Sequence, residues 1–432
     1  MVLLARDRDA LSVLPHVPLA ICAAITTLGV FQILPLPFAI AEKFNPTVDL
    51  MRPLIPHLGL DHPPAVSWSV AAPETTDALL RFVAYVLLGL ATAVAFHTER
   101  SRRRIALVLV TSGVFQALYG SGEYLTGRQH IFGFAKKYYL DSATGTLINR
   151  NHFATLLVVA LPFALTLATP HRTATHERGW RERLIRLSKG PGLTRVFAIL
   201  ASALIWMGLL LSHSRAGLVA GIAAAAIAVV RPRGERAIRW TAAIGMAVFL
   251  VLLSAELAQA PGERLLTVKD DIEAKGGRLT VWRDATALIA TRPILGWGFG
   301  TFASAFPMVQ SERIEQLYDH AHNDWVEWTT EGGVVALLAA VALVGLALRA
   351  TWSRTTDPES KAFGAACRAA LIAVALHSLW DFSLRIPAVA TAVSVLMGLA
   401  FGLGSGSTFH TPGPIVGWPR SLSHGTTSSS LD

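Results

Sequence analysis

YDHAHNDWVEWTTEGGVVALLAAVALVGLALRA, residues 318 to 350, decides how the rest of the chain is read. Its first half gathers histidines, acids, an asparagine and tryptophans. Its second half, from Val334, holds no charge before Arg349. A reactive polar run that passes directly into an uninterrupted apolar block is the pattern of a helix entering a bilayer. The chemistry therefore sits at the mouth of a membrane helix.

Similar apolar blocks run over 17–34, 79–96, 105–118, 153–168, 196–211, 216–230, 241–257, 365–379 and 388–403. With 334–350 they make about ten membrane helices, and up to twelve when short or split cores are allowed for. Several cores are shorter than the ~20 residues a bilayer requires, so flanking Trp, Tyr and polar residues complete the span. Of the 432 residues, 52% are hydrophobic and only 16% charged, which excludes a water-soluble enzyme. The fold class expected is all-α and polytopic. One transmembrane domain covers 1–403, a large and partly helical loop on the outer side covers 258–333, and a Ser-, Gly- and Thr-rich stretch at 404–432 reads as a disordered cytoplasmic tail.

Charge placement explains the excess of Lys and Arg. With the N-terminus inside, the basic linkers all fall on one side: Arg100 with Arg102 to Arg104, HERGWRERLIRLSK at 176–189, RPRGER at 231–236, then Arg349, Arg354 and Lys361. This positive-inside asymmetry puts both termini in the cytoplasm and leaves no need for a nucleic-acid partner. The first apolar segment ends in FAIAE, whose Ala39 and Ala41 mimic a signal-peptidase site. Its length, and Asp7 and Asp9 ahead of it, favour an uncleaved anchor. Cys22 and Cys367 are far apart in apolar surroundings, so no disulfide framework or zinc ribbon can be built.

The candidate chemistry gathers on the outer side. Arg215, in SHSRAG, ends one apolar helix and begins the next, which places it at a tight turn among the lipid headgroups. It is either a snorkelling anchor or a clamp whose planar fork suits a pyrophosphate. Arg278, in GGRLTVWRDA, is a second candidate clamp, with Arg283 and Arg292 as competitors. His322 stands among Asp319, His320, Asn323 and Asp324. It can act as a general base oriented by a carboxylate, or it can share a divalent ion with His320 if the backbone is extended and alternate side chains face one way. No HExxH pattern supports the metal, and no cofactor is expected. GWGFG at 296–300 is not a nucleotide cradle but a turn that lets backbone approach something closely. Within the long loop, Trp282, Ala285, Leu288 and Ile289 recur at helical spacing, which suits a helix lying on the membrane surface.

Taken together, these motifs resemble the O-antigen ligase and polysaccharide polymerase superfamily. His322 and Asn323, nine residues and then Gly333 resemble the ligase signature, although the position three residues on is Ala336, where the family often has Gly, Thr or Tyr. Gly277, Arg278 and Trp282 followed by Pro293, Gly296, Trp297 and Gly298 fit the same picture. So do Arg215 in SRAG, Asn149 and Asn151 in NRNHFA, and Asp381 before Pro387. The resemblance spans roughly residues 105 to 400. It implies a multi-pass protein of the bacterial inner membrane that moves a glycan from undecaprenyl pyrophosphate to an acceptor hydroxyl at the periplasmic face, inverting the anomeric carbon without metal or nucleotide sugar. The acceptor would be a lipid A core for a ligase, or a second lipid-linked glycan for a polymerase. On this reading His322 is the base, Arg215 and Arg278 hold the donor pyrophosphate, and Asn323, Asp319, Asn151 and Asp381 support them. A lipid-linked glycan transporter is the alternative of another class. It would need ionisable or broken-helix features near mid-membrane, and these apolar blocks carry few.

Overall fold

The computed structural model describes residues 15–44, 48, 53–57, 65–96, 98–168, 190–229, 277–311, 314, 317–352 and 357–404. The expected helix at 241–257, the basic linkers at 176–189 and 231–236, Arg354, residues 258–276 and the tail from 405 lie outside them. The described chain is helical apart from two short antiparallel pairs, 35–36 with 66–67 and 130–131 with 134–135.

The long helices are α1 (His16–Ile33), α2 (Ala72–Ala95), α3 (Glu99–Leu125), α4 (Arg150–Leu167), α5 (Pro191–Leu211), α6 (Arg215–Val229), α7 (Arg278–Thr291), α8 (Asp324–Ala350), α9 (Pro358–His377) and α10 (Pro387–Gly404). Among the described residues, seven helices are long and apolar enough to cross a membrane: α1 to α5, α8 and α10. α6 is apolar but shorter, and α9 does not meet the same measure. The chain is thus an all-α, multi-pass membrane protein.

Every apolar block inside the described residues is a helix, and several helices start earlier than hydropathy alone indicates. The cause is capping. Thr98, Asn149, Asn323 and Asp357 each accept backbone N–H groups of the following turn, so polar first turns are drawn into the helix. Residues 324–333, expected within the loop, are in this way the first turns of α8.

α4 is the axis of the bundle. It packs against α3, α5, α6 and α9, and 83% of its apolar window is buried, against 17% for α2 and for α8. It carries no charge after Arg150, and Gly113, Gly208 and Gly217 on its neighbours meet it where a β-carbon would crowd Ala160, Leu157 and Ala154.

The other organising feature is a break in α8. Gly333 has φ 67°, and a β-carbon there would collide with the backbone of Ile294 and Leu295. The GWGFG turn docks against the break through Trp297 N–H to the Thr330 carbonyl (3.0 Å), Gly298 N–H to Glu331 (2.9 Å) and Val334 N–H to Pro293 (2.8 Å). Gln32, fully buried near the end of α1, completes the joint: its amide donates to the Leu295 and Glu331 carbonyls and accepts from Phe299 N–H. The close backbone approach read from the glycine spacing is this joint.

α7 buries Val281, Ala285 and Leu288 against Trp297, Phe302 and Phe306, forming the core of a cap over one end of the bundle. Trp282 and Ile289 are only half-buried.

Gln32→Leu should lower stability by about 1–3 kcal/mol, because it strands buried backbone groups of the joint. Thermal unfolding in detergent would show this against a lipid-facing control such as Leu80→Ala, which should not move.

Candidate functional site

The capped end of the bundle brings together the first turn of α4, the start of α8, the N-terminus of α7 and the return from α9 to α10 at residues 378–386. Backbone bonds fix the last of these. Asp324 N–H lies 2.9 Å from the Ser378 carbonyl and 3.1 Å from that of Asp381, and the Asp324 carboxylate accepts Leu384 N–H at 3.3 Å.

Asp381, fully buried, is the centre of this return. His152 Nε2 lies 3.4 Å from one of its oxygens and His322 Nδ1 3.9 Å from the other. The second distance is an ion-pair separation, too long for a hydrogen bond. The Ser383 hydroxyl donates to the carboxylate, and Ser383 in turn meets Thr155, which reaches His377. Burial pushes the Asp381 carboxyl up, but His322, His152, His377 and Ser383 pull it down and prevail, holding it well below the usual carboxylate range.

His322 has φ 52°, a left-handed conformation uncommon for a non-glycine residue. The backbone there is not extended, so His320 and His322 part company. His320 Nδ1 pairs with the buried Glu327 carboxylate at 2.8 Å, while His322 faces Asp381. The shared-ion arrangement needed both imidazoles on one side. The Phe382 ring lies among three imidazoles: it stacks on His320 at 4.1 Å and meets His322 and His152 edge-on at 4.9 and 4.8 Å.

A buried ionic group underlies the site. Arg385 Nε is 3.2 Å from Glu327 and its Nη2 is 2.6 Å from Glu331. Burial alone would lower the Arg385 pKa, yet Glu331, Glu327 and Asp324 raise it, so the guanidinium remains charged. Glu327 and Glu331 are one turn apart on α8, so a single guanidinium spans both. None of these three was singled out from the sequence. The i,i+4 acids inside a membrane-entry motif, with an arginine in HSLWDFSLRIP, were the available signal.

The expected site residues divide. Arg278 reaches the site, donating to the Trp380 carbonyl at 2.9 Å. One turn on, Trp282 donates to the Ala321 carbonyl at 2.8 Å, which fixes the backbone beside His322. Arg292 is instead buried, bonded to the Trp68 carbonyl and lying 4.1 Å over the Trp297 ring, with burial pulling its pKa down to about 10. Arg283 is exposed. Asn151 accepts the Ser214 hydroxyl at 2.7 Å, which ties the Ser214–Arg215 turn to the first turn of α4, next to His152. Arg215 itself is exposed, with no ion pair or hydrogen-bond partner among the described residues. Asn323 caps α8. Asp319 is exposed, and the carboxylate facing His322 is that of Asp381.

Below the return, a cavity between α8, α9 and α10 is lined by Asp324, Trp325, Trp328, Leu371 and Ser378. It abuts a second, apolar cavity toward α1 and α2, with Val393 and Met397 lining both.

Fold and site thus define a multi-pass helical membrane protein with an imidazole–carboxylate cluster at one end of its bundle. Residues 200–341 match the family model described as O-antigen ligase, and this match supports membership of the O-antigen ligase superfamily. The matched region takes in Arg215, α7, the GWGFG turn, His322 and the break in α8. The comparison with curated proteins returns no match.

Two outcomes follow. Arg385→Met should cost about 3–5 kcal/mol by leaving the buried Glu331 without its ion-pair partner and Glu327 with His320 alone to balance it, and adding Glu327→Gln and Glu331→Gln should recover most of it in thermal unfolding. The folded-state pKa of Asp381 is depressed, so its stabilisation is complete above the unfolded value of ~4 and drains away as pH falls below it. Asp381→Asn should flatten that acid limb of the stability profile.

Proposed function

We propose that this protein is a membrane glycosyltransferase of the ligase type, moving a glycan from undecaprenyl pyrophosphate to an acceptor hydroxyl on a lipid A core at the periplasmic face of the bacterial inner membrane. The observation that carries the reading is the convergence of His322, Asp381 and the Arg278-anchored α7 at one end of a membrane bundle, within the region matching the O-antigen ligase model.

The chemistry asks little of the protein beyond charge and geometry. The acceptor O–H gives its proton to His322 as its oxygen attacks the anomeric carbon. The bond from that carbon to the pyrophosphate oxygen breaks, and its electron pair leaves with the pyrophosphate. Asp381 stabilises the imidazolium that forms, as a buried anion facing it. Arg215 and Arg278 meet the charge developing on the leaving group, which is the transition-state stabilisation a diphosphate requires. A single displacement inverts the anomeric carbon, and no metal or cofactor enters any step. Asn323 contributes by capping α8 and Asn151 by holding the Arg215 turn. Asp319 stands at the solvent rim, where it can meet the acceptor. The paired cavities beside α10 suit the isoprenoid tail of the donor.

The deciding experiment supplies purified protein with a lipid-linked oligosaccharide and either a lipid A core or a second lipid-linked oligosaccharide. Transfer to the core supports the ligase, extension of the lipid-linked chain makes the protein a polymerase instead, and neither product removes the reading. His322→Ala should lower transfer ~10²- to 10⁴-fold while the protein still inserts in membranes. Arg215→Lys should also impair transfer, because a point charge lacks the fork. Full activity in that variant would reduce Arg215 to an anchor.

A further inference from the structure

The loop from α3 to α4 contains a small hairpin that the proposed chemistry does not use. Ile131 pairs with Phe134, leaving Phe132 and Gly133 as a two-residue turn. In such turns a first position with positive φ is normally taken by glycine. Here Phe132 takes it, at φ 53°, and Gly133 does not have a positive φ. Gln129 and Tyr139 in the same loop are also left-handed, at 55° and 54°. Strain of this kind persists where the surrounding structure enforces it, and it points to use.

What the strain presents is apolar surface. Phe132 is 65% exposed and Phe134 79%, and Tyr138 and Leu140 are exposed as well. None of them belongs to the cores of the bundle or the cap. The Phe132 N–H donates to the Tyr119 hydroxyl, the two rings lie 5.5 Å apart, and Tyr119 stacks on Phe115 at 6.1 Å. Phe115 and Leu118 are exposed on α3, one of the seven helices suited to cross a membrane. The hairpin therefore folds back along the lipid-facing stripe of α3, level with Tyr119 and more than a turn inside the helix end at Leu125. Exposed Arg128 and Lys137 flank the aromatic tip. Apolar rings beside solvated cations are the composition of an interfacial segment facing anionic headgroups.

We propose that residues 128–140 form a membrane wedge: Phe132 and Phe134 enter the boundary between headgroups and acyl chains, and Arg128 and Lys137 rest on the phosphates of anionic lipids. The root of the segment touches the first turn of α4 through Asp141, 3.7 Å from Arg150. The wedge thus holds that edge of the site at the depth where a lipid-borne headgroup leaves the bilayer.

The test uses the full-length protein in lipid nanodiscs, in a Cys22→Ser, Cys367→Ala background, with a nitroxide attached after Phe132→Cys or, separately, Phe134→Cys. Both side chains are exposed, so folding should survive, and two positions guard against one failing. Collision with oxygen should exceed collision with a water-soluble nickel chelate severalfold relative to a label placed by Asp319→Cys. Discs lacking anionic lipid, or Arg128→Gln with Lys137→Gln, should move both labels toward water. Nickel access equal to that at position 319 overturns the proposal. Spin–spin broadening that appears only when two copies share a disc would assign the tip to a protein contact, and overturns it equally.

Discussion

Everything at the capped end depends on one guanidinium that cannot be left alone. Arg385 is largely withdrawn from bulk water, with 18% of its side chain exposed, and its charge is balanced by the buried Glu327 and Glu331, which close on it from consecutive turns of α8. The pairing fixes the return at 378–386 against the start of α8. That fixes Asp381 relative to His322, and Glu327 relative to His320. The geometry of the imidazoles is thus set by electrostatics a layer beneath them. Nothing comparable holds Arg215, whose turn is placed instead by the Asn151–Ser214 hydrogen bond.

The break at Gly333 gives the same end its second constraint. A continuous helix would have no free carbonyls at Thr330 and Glu331 for the 293–300 turn to bond. A left-handed residue releases them, and only glycine fits beneath the Ile294 backbone. The signature spacing from His322 to Gly333 therefore has a mechanical sense. It is the distance along α8 from the helix cap, beside the imidazole, to the joint where cap and bundle meet.

Much of this was legible in the residues themselves. Apolar blocks became helices because no other backbone satisfies its own hydrogen bonds in lipid. Arg278 and Trp282, four apart, proved to lie on one face of α7 and to reach the site together. The glycines of GWGFG marked a real close approach. What stayed illegible was pairing across distance. Asp319 lies beside His322 in sequence, yet Asp381, from another helix return, faces it. His152 reads as one more residue of an apolar helix until its partner is seen. Arg283, Arg292 and Arg278 are indistinguishable by charge, and only the Trp68–Trp297 sandwich separates the structural one.

The burial of α4 against the exposure of α8 gives the site two walls of different stiffness. Asn151 and His152 rise from a helix enclosed by protein on every side, which lipids cannot tilt. His322 and Asn323 sit at the head of a helix whose flanks lie mostly open to acyl chains and which is jointed one-third of the way along. A change in bilayer thickness or lateral pressure would enter through the second wall and reach the first through Asp381, which lies between His152 and His322. The membrane is, in this sense, a mechanical component of the site as well as its surroundings.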